Sequence, residues 1–333
     1  MHCPSCQSTN IKKHGNTSDG RPRFRCAECR RVWVEAKLPK PARRPRRLPV
    51  EQVTMILGLL CEGSSIRAIQ RLVGVEQRTI LRLLVDLGTG CERLLADTIK
   101  DVPVQDVQAD ELWTYIRCKQ GTRERRKIAD PNAGDAYCYI AVESTSKLVL
   151  AWHLGRRNTW DAHDFMAKLS TATAGSFQLS TDGFNAYPNA VEYNLGARVD
   201  YAQVVKEFAS AGGEEARRYA PPRLLGQEKI TVYGTPDEDR ICTSHVERFN
   251  WTIRTGLRRF VRLSNGFSRK KENLRAAIAL FLAYYNFVKF QKTVRMPPAM
   301  AAGIISKPWS LADLLREAEQ RVDRTATTLA VAA

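Results

Sequence analysis

A strand-like pattern begins at Gln108-Ala-Asp-Glu-Leu-Trp-Thr-Tyr-Ile-Arg117, where a helical periodicity gives way to a short run rich in aromatic and branched residues. Two similar runs follow, Ala136 to Ser144 and Leu148 to Leu154. Helix and strand patterns then alternate, with a helix over 159–171, a strand over 177–181, a short helix over 186–193 and a strand over 198–204. Three successive strands followed by this alternation predict an α/β domain with a mixed sheet flanked by helices.

Helical patterns stand on both sides of this region. Residues 50–100 carry apolar side chains at spacings of three and four, which predicts several helices. After a region predicted to be irregular, 209–240, long helices are predicted from Ser244 to Phe260 and from Lys271 to Phe287. A last amphipathic helix is predicted to begin at Ser310.

The positive charge of the chain lies in two blocks. The 333 residues carry a formal net charge of +17. Residues 1–47 hold 13 Lys/Arg and 3 Asp/Glu, and residues 248–275 hold 9 and 1, so the rest of the chain is nearly neutral. Two basic blocks on a neutral body indicate a polyanionic partner, with nucleic acid as the first candidate.

A membrane partner fits the sequence poorly. The first basic block is interrupted by prolines and cannot form an amphipathic helix. No apolar run approaches the roughly 20 residues that cross a bilayer, and no leader pattern precedes a cleavage site. We therefore expect a cytoplasmic, nucleoid-associated protein without a membrane partner.

The N-terminal cysteines form two CxxC pairs. Cys3-Pro-Ser-Cys6 and Cys26-Ala-Glu-Cys29 are separated by 19 residues. Two such pairs complete a tetrahedral shell of four thiolates, as in a structural zinc ribbon, although a rubredoxin-type iron site and chance pairing remain alternatives. A segment with so few apolar side chains cannot bury a core of its own, so we expect bound Zn²⁺ to supply most of its folding energy.

A basic linker follows the cysteines. Segment 37–49 contains four prolines, six basic residues and no acid, which predicts an extended arm. Such an arm suits the minor groove of DNA. The arginines expected to contact DNA there are Arg43, Arg44, Arg46 and Arg47.

Residues 62–84 have the pattern of a helix-turn-helix. A serine cap precedes a first helix that is expected to bury Ile66, Ile69 and Leu72, and Gly74 marks the turn. An ordinary helical hairpin would show the same pattern. The residues placed on the exposed side of the second helix, where they would meet base edges, are Gln77, Arg78 and Arg82.

Three acidic residues occur where the predicted elements would border one pocket. Asp110 lies in the first strand, Asp182 ends the fourth, and Glu247 stands near the start of a helix. In a mixed sheet of this order the first and fourth strands can be neighbours, and a helix after the fifth can cross their ends. Carboxylates aimed at one point can hold Mg²⁺ or Mn²⁺ for phosphoryl transfer between nucleic-acid strands.

Each acid also has a plain structural explanation. Asp182-Gly183 fits a turn, Glu247 a solvated helix charge, and Asp110 or Glu111 a surface position on a strand. The catalytic interpretation depends on all three acids occurring in these positions together.

The predicted helix of Glu247 carries basic residues on the same face. Asn250, Trp251, Arg254 and Arg258 follow Glu247 at spacings of three, four, seven and eleven. Arg254 and Arg258 are therefore expected to bind backbone phosphate near the metal.

Taken together, these motifs resemble those of the transposases of the insertion sequence 1 family. Besides the CxxC pairs and the helix-turn-helix, the matching segments are Gln108-Ala-Asp-Glu-Leu-Trp113, Ser180-Thr-Asp-Gly-Phe-Asn-Ala-Tyr187, Thr243-Ser-His-Val-Glu-Arg-Phe-Asn250, Arg258-Arg-Phe-Val-Arg-Leu-Ser-Asn-Gly-Phe-Ser268, Tyr285-Asn-Phe287 and Arg295-Met-Pro-Pro-Ala-Met300. The resemblance implies a ribonuclease-H-like catalytic domain in which Asp110, Asp182 and Glu247 bind the metal.

The resulting domain prediction has five parts. They are a zinc ribbon over 1–36, a basic proline-rich linker over 37–49, a helix-turn-helix domain over 50–100, a ribonuclease-H-like domain over 101–305, and an amphipathic helix with a tail over 306–333.

The implied function is that of a DDE-type DNA transposase. It would bind the terminal inverted repeats of an insertion sequence and catalyse metal-dependent cleavage and strand transfer. Because two ends must be joined together, we expect a homodimer or a larger assembly on DNA. The competing interpretations are a non-catalytic DNA-binding repressor and a nuclease that cuts without rejoining.

Overall fold

The computed structural model describes residues 2–16, 22–34, 48–209, 224–261 and 264–331, with the backbone alone for 323–331. The chain forms two compact units that divide after Arg46. The linker arginines Arg43, Arg44, Arg46 and Arg47 lie outside the described residues. Their assignment to an arm on DNA therefore stays a prediction.

The first unit contains a small antiparallel sheet. Its strands are β1 (Ile11–Asn16), β2 (Pro22–Cys26) and β3 (Val32–Val34), and β2 pairs with both neighbours. Among its described residues only Cys3, Phe24 and Cys26 are buried. So small an apolar interior agrees with the expectation that a metal ion holds this unit together.

The second unit begins with three helices, α1 (Val50–Cys61), α2 (Ile66–Val73) and α3 (Gln77–Thr98). The predicted serine cap and turn are confirmed. The Ser65 hydroxyl accepts a hydrogen bond from the Ala68 amide at 3.1 Å, and Gly74 ends α2 in the left-handed region at φ 70°.

One position in the first helix of this motif differs from the predicted burial. Leu72 is 68% exposed. The buried face of α2 starts at Ile66 and Ile69 and continues four residues later at Val73, which is partly buried against the core, so Leu72 points away.

The helices α1 to α3 share one hydrophobic core with the rest of the second unit. This core includes Ile80 and Leu87 of α3, Tyr139 of the sheet and Leu314 near the C-terminus. Helix α3 continues well beyond the helix-turn-helix pattern and is buried at Gly88 and Gly90. The buried core extends across residues 100 and 306, so the core itself does not divide at the predicted domain boundaries. These two boundaries stay predictions.

The main sheet has six strands, and its order confirms the predicted mixed α/β fold. The strands are β5 (Asp106–Ile116), β6 (Gly134–Glu143), β7 (Val149–Gly155), β9 (Phe177–Asp182), β10 (Val199–Phe208) and β11 (Leu224–Tyr233). Their spatial order is β11-β10-β9-β5-β6-β7. Strand β9 is parallel to both β5 and β10, and the remaining neighbouring pairs are antiparallel. Without β11, this is the strand order of the ribonuclease-H-like fold.

Helices and short elements complete the second unit. The shorter ones are β4 (Val102–Pro103), which pairs with β8 (Thr173–Ala174), α4 (Gln120–Arg125), α6 (Tyr187–Asn194) and α9 (Pro298–Ala301). The longer ones are α5 (Thr159–Ala172), α7 (Ser244–Gly256), α8 (Lys271–Phe287) and α10 (Leu311–Val331). No helix in the described part of the chain combines the length and the apolar composition that crossing a membrane requires.

Two predicted elements differ from the structure. The region 209–240 contains strand β11, which pairs with β10 at the edge of the sheet. The helix predicted from Ser244 to Phe260 ends at Gly256, and Arg258–Phe260 form a separate 3-10 turn whose Phe260 is buried. Arg258 therefore does not continue the helical face of Glu247.

Candidate active site

The central parallel strand pair brings two of the predicted acids together. Strands β5 and β9 pair in parallel up to Ala109 and Thr181. The next residue on each strand is an aspartate, Asp110 on β5 and Asp182 on β9. Asp110, Asp182 and Glu111 each offer a carboxylate oxygen, and these oxygens lie within 4.8 Å of one another. The sheet register thus builds an acidic cluster from residues far apart in sequence.

Glu111 is a member of this cluster that sequence reasoning assigns to a surface position. Its side chain is only 3% exposed. Its Oε1 atom is buried, and Oε2 accepts a hydrogen bond from Nε of Arg157 at 3.3 Å. Neighbouring residues on a strand normally face opposite sides. Because Asp110 and Glu111 are consecutive on β5, this rule predicts that only one of them lies beside Asp182.

Helix α7 is fixed across strand β5 by buried amide side chains. The carbonyl oxygen of the Gln108 side chain accepts hydrogen bonds from the backbone amides of His245 at 2.8 Å and Val246 at 3.3 Å. Asn250, farther along α7, donates a hydrogen bond to Oδ2 of Asp110 at 2.7 Å. These contacts hold the start of the helix next to the acidic cluster. This is where a helix that crosses the ends of the first and fourth predicted strands is expected to lie.

Glu247 lies on the same helix but outside the close cluster. Its Oε1 accepts a hydrogen bond from the Thr243 hydroxyl at 2.5 Å and pairs with the Lys206 ammonium group. Its charge nevertheless acts on Asp110, whose pKa it raises. The structure therefore joins Asp110 with Asp182, and the assignment of Glu247 as a third metal ligand stays a prediction.

The acids are strongly perturbed by their surroundings. Burial, followed by the charge of Asp182, raises the pKa of Asp110 to about 7. The same two causes raise the pKa of Glu111 to about 8, while burial raises the pKa of Asp182. Like charges in a partly desolvated site favour a bound proton or a bound cation. Carboxylate oxygens are the preferred ligands of Mg²⁺ and Mn²⁺, so the donor set fits such an ion.

Two cationic side chains border the cluster, and sequence reasoning assigns neither to the site. Arg157 pairs with Asp182 at 3.6 Å as well as with Glu111, and its guanidinium carbon lies 4.1 Å from the ring centre of Phe184. Lys206, on β10, lowers the pKa of both aspartates. Nothing in their local sequence marks these residues, because only the fold brings them to the acids.

The four N-terminal cysteines form the second candidate metal centre. All four sulfur atoms lie within 4.8 Å of one another, with Cys3 to Cys29 and Cys6 to Cys26 both at 3.5 Å. A tetrahedral Zn²⁺ ion with Zn–S bonds of about 2.3 Å needs sulfur atoms roughly 3.8 Å apart. The predicted ligands are thus in place for a structural zinc ion.

The residues predicted to contact DNA are mostly at the surface. Gln77, Arg78 and Arg82 are exposed on α3, as expected. Arg258 is exposed in the turn after α7, whereas Arg254 is partly buried and its Nη1 lies 3.5 Å from the carbonyl oxygen of Phe260. Their roles in DNA binding stay predictions.

Comparison with known proteins supports the assignment of the N-terminal region. The model of the InsA N-terminal domain, a zinc ribbon, matches residues 1–30. The insertion element iso-IS1N protein InsA of Shigella dysenteriae is 31% identical over 84 residues, which are 25% of this chain and 87% of that protein.

Two solved structures show a weaker likeness over most of the chain. A piggyBac transposase synaptic complex with hairpin DNA is 8% identical, with a TM-score of 0.42, and the match covers 90% of this chain and 76% of that one. The Mos1 strand transfer complex is 10% identical, with a TM-score of 0.31, and the match covers 88% of this chain and 82% of that one.

The InsA match spans most of that relative and agrees with the cluster of four cysteines that the structure forms. The chain therefore belongs to the insertion sequence 1 family of transposases.

Proposed function

We propose that this protein is a DDE-type transposase that cuts the ends of an insertion sequence and joins them to target DNA. The observation that carries the proposal is the cluster of Asp110, Glu111 and Asp182, with oxygens within 4.8 Å of one another and Glu247 on an adjoining helix. Asp110, Asp182 and Glu247 would hold Mg²⁺ or Mn²⁺, which supplies Lewis-acid stabilisation of the charge that develops on phosphate.

The residues around the acids have distinct tasks in this proposal. Asn250 fixes the orientation of the Asp110 carboxylate through its 2.7 Å hydrogen bond. Arg157 balances the charge of Glu111 and Asp182, since it pairs with both. Lys206 holds Glu247 and must release it when Glu247 turns toward the cluster.

The chemistry would proceed in two displacements at phosphorus. In the first, water attacks the phosphate at the element end, and the bond to the 3′ oxygen breaks to leave a free 3′ hydroxyl. In the second, this hydroxyl attacks a target phosphodiester and displaces another 3′ oxygen. Neither step needs a covalent intermediate on the protein.

DNA recognition is assigned to the N-terminal half. The zinc ribbon and the exposed face of α3, with Gln77, Arg78 and Arg82, would bind the terminal repeats, together with the linker arginines. Two ends must be brought together for joining, so we propose that the active form on DNA is a homodimer or a larger assembly. Mass photometry of the protein with and without end DNA tests this.

The decisive experiment uses labelled duplexes that carry the inverted repeats flanking the gene, together with a target plasmid and Mg²⁺. Asp182→Asn should bind the ends like the wild type but cut and join them about 10³-fold more slowly, because a metal ligand contributes several kcal/mol. Asp164→Asn, an exposed aspartate on α5, is the matched control and should keep full activity.

The same assay separates the competing functions. Binding of the ends by the wild type without any Mg²⁺-dependent cleavage would indicate a repressor. Cleavage without joined products would indicate a nuclease. Wild-type joining by Asp182→Asn would overturn the proposed metal site.

A further inference from the structure

A groove with both polar and apolar walls lies next to the helix-turn-helix in the second unit. It has a volume of about 690 Å³ and lies between the start of α2, the start of α3, the end of α7 with the turn after it, and the start of α8. Among the described residues, its lining includes the exposed arginines Arg67, Arg258 and Arg269 and the less exposed Arg259, and it includes no acidic residue. A wall with three exposed cations and no described anion is suited to a polyanion.

The arginine charges around the groove are not neutralised by the described part of the protein. Arg67, Arg258 and Arg269 are exposed, and none of them forms an ion pair with a described acid. Ser65, which caps α2, also lines the groove, so the positive end of the α2 dipole lies at its wall. Hydroxyl and amide side chains such as Ser264 and Asn265 add hydrogen-bonding groups.

The groove is rigidly connected to the strand that carries Asp110. The Thr114 hydroxyl of β5 donates a hydrogen bond to the backbone carbonyl of Arg259 at 2.8 Å. The Arg117 amide, just after β5, donates to the carbonyl of Ser268 at 2.8 Å. Beneath the groove, Nη1 of Arg259 donates to the Ser268 hydroxyl at 2.9 Å. These bonds fix the turn that carries the arginines relative to the acidic cluster.

Helix α7 runs from Glu247, the proposed third metal ligand, to the groove. Glu247 stands near its start, and Gly256, its last residue, lines the groove. Nine residues at about 1.5 Å each place these ends roughly 14 Å apart. A rise of about 3.4 Å per nucleotide makes this about four nucleotides of B-form DNA.

We propose that this groove binds the phosphate backbone of the element-end duplex about four nucleotides from the phosphate that is cut. The proposal rests on the proposed function and adds a defined contact surface to it. The helix-turn-helix and the acidic cluster would then hold one continuous segment of duplex, and the groove would set the distance between recognised sequence and cut.

The test compares two double variants that remove the same charge. Arg258→Gln with Arg269→Gln removes two cations from the groove. Arg125→Gln with Arg126→Gln removes two exposed cations at the end of α4, outside the groove. The affinity of each protein for the labelled terminal-repeat duplex is measured over a range of salt concentrations in Ca²⁺, with cleavage followed separately in Mg²⁺.

The groove variant should reduce the slope of log affinity against log salt by about 1.8, since each phosphate contact contributes about 0.9. It should also lose hydroxyl-radical protection about four nucleotides from the cut while the inner repeat stays protected. The control pair should keep the wild-type slope and footprint. Replacing Arg258 and Arg269 by Lys keeps both charges and should retain the slope.

An unchanged slope and an unchanged footprint in the groove variant would overturn the proposal. Thermal unfolding shows whether that variant is folded, and if it is not, Arg67→Gln on the exposed side of α2 replaces it, with an expected slope reduction of about 0.9. The outcome is independent of catalysis. A wild type that binds with a groove-dependent slope but never joins ends would refute the proposed function and leave the groove assignment standing.

Discussion

At the scale of single residues, the candidate site combines closely spaced acids with one ammonium group. Lys206 pairs with Glu247, and its charge also lowers the pKa of Asp110, which burial and Asp182 together raise. The acids therefore compete for protons, for Lys206 and for any divalent ion that binds. A substitution here that stabilises the metal-free protein should weaken metal binding, and one that destabilises it should tighten metal binding.

Replacing Asp110 by Asn should stabilise the protein at high pH when Mg²⁺ is absent. The folded-state pKa of Asp110, about 7, exceeds its ordinary value of 3.8, so the folded chain holds a proton that the unfolded chain loses. The stability that this proton contributes is complete below about pH 4 and is lost as the pH rises through about 7. Melting curves of the second unit without added divalent ions should show Asp110→Asn above the wild type at about pH 8 and close to it at about pH 4.

Asp164→Asn, the exposed control, should melt like the wild type at both pH values. A constant difference between Asp110→Asn and the wild type across this range would contradict the assigned pKa. Saturating Mg²⁺ should stabilise the wild type more than the variant, because the ion replaces the proton on intact ligands.

Replacing Lys206 by Gln should tighten the binding of Mn²⁺. Lys206 places a positive charge beside Glu247 and Asp110, and that charge repels a divalent ion at the same acids. Removing the charge should increase affinity on the order of tenfold, which corresponds to about 1.4 kcal/mol. Calorimetric titration with Mn²⁺ measures this, with Lys206→Arg as the charge-retaining control. Equal or weaker binding by Lys206→Gln would show that Lys206 does not compete with the metal.

At the scale of elements, the sequence predicts those strands and helices that have a buried face. The neighbouring placement of β5 and β9 follows from their order in a mixed sheet, and it correctly brings Asp110 next to Asp182. Strand β11 could not be found this way, because every described residue along it is exposed or only partly buried and no alternation of apolar residues results. The early end of α7 depends on the burial of Phe260 in the following turn, which is a tertiary contact.

Likewise, the sequence identifies only some of the side chains of the candidate site. Asp110, Asp182 and the four cysteines stand in recognisable local patterns, whereas Glu111, Arg157 and Lys206 join the acidic cluster only through the fold. A lone Arg or Lys in a sequence carries no information about which acid it will meet.

Glycine on α3 permits a close helix contact, and this can be tested directly. A Cβ atom added at Gly88 would stand 2.4 Å from the backbone oxygen of Ala276 on α8. Backbone atoms cannot rotate away, so Gly88→Ala should lower the free energy of unfolding by about 1 to 3 kcal/mol, despite the better helix propensity of Ala. Urea unfolding provides the measurement.

Gly121, on α4, is the matched control, since an added Cβ would meet nothing within 4 Å. Gly121→Ala should leave the stability unchanged or raise it by up to about 1 kcal/mol. If Gly88→Ala raised stability as well, the close packing of α3 against α8 would be wrong.

At the scale of the whole molecule, the two compact units differ in what stabilises them. The second has a continuous apolar core, whereas the first has few buried residues besides two of its cysteines. Their separation in the chain means that loss of the first unit need not unfold the second.

Removal of zinc should unfold the first unit alone. A strong chelator should release one zinc ion per chain, expose residues of the four-cysteine unit to protease and leave the main melting transition in place, because the core of the second unit contains no metal ligand cysteine. Cys6→Ser should mimic the chelator. Simultaneous loss of both units on chelation would contradict this division.

The most direct test of the proposed metal-dependent strand-transfer site is metal rescue at Asp182. Asp182→Cys replaces an oxygen ligand, which suits Mg²⁺, by a sulfur ligand, which binds Mn²⁺ better than Mg²⁺. We predict that this variant joins labelled element ends to target DNA in Mn²⁺ but not in Mg²⁺, while the wild type does so in both. Joining by Asp182→Cys at the wild-type rate in Mg²⁺ would contradict the assignment of Asp182 as a metal ligand.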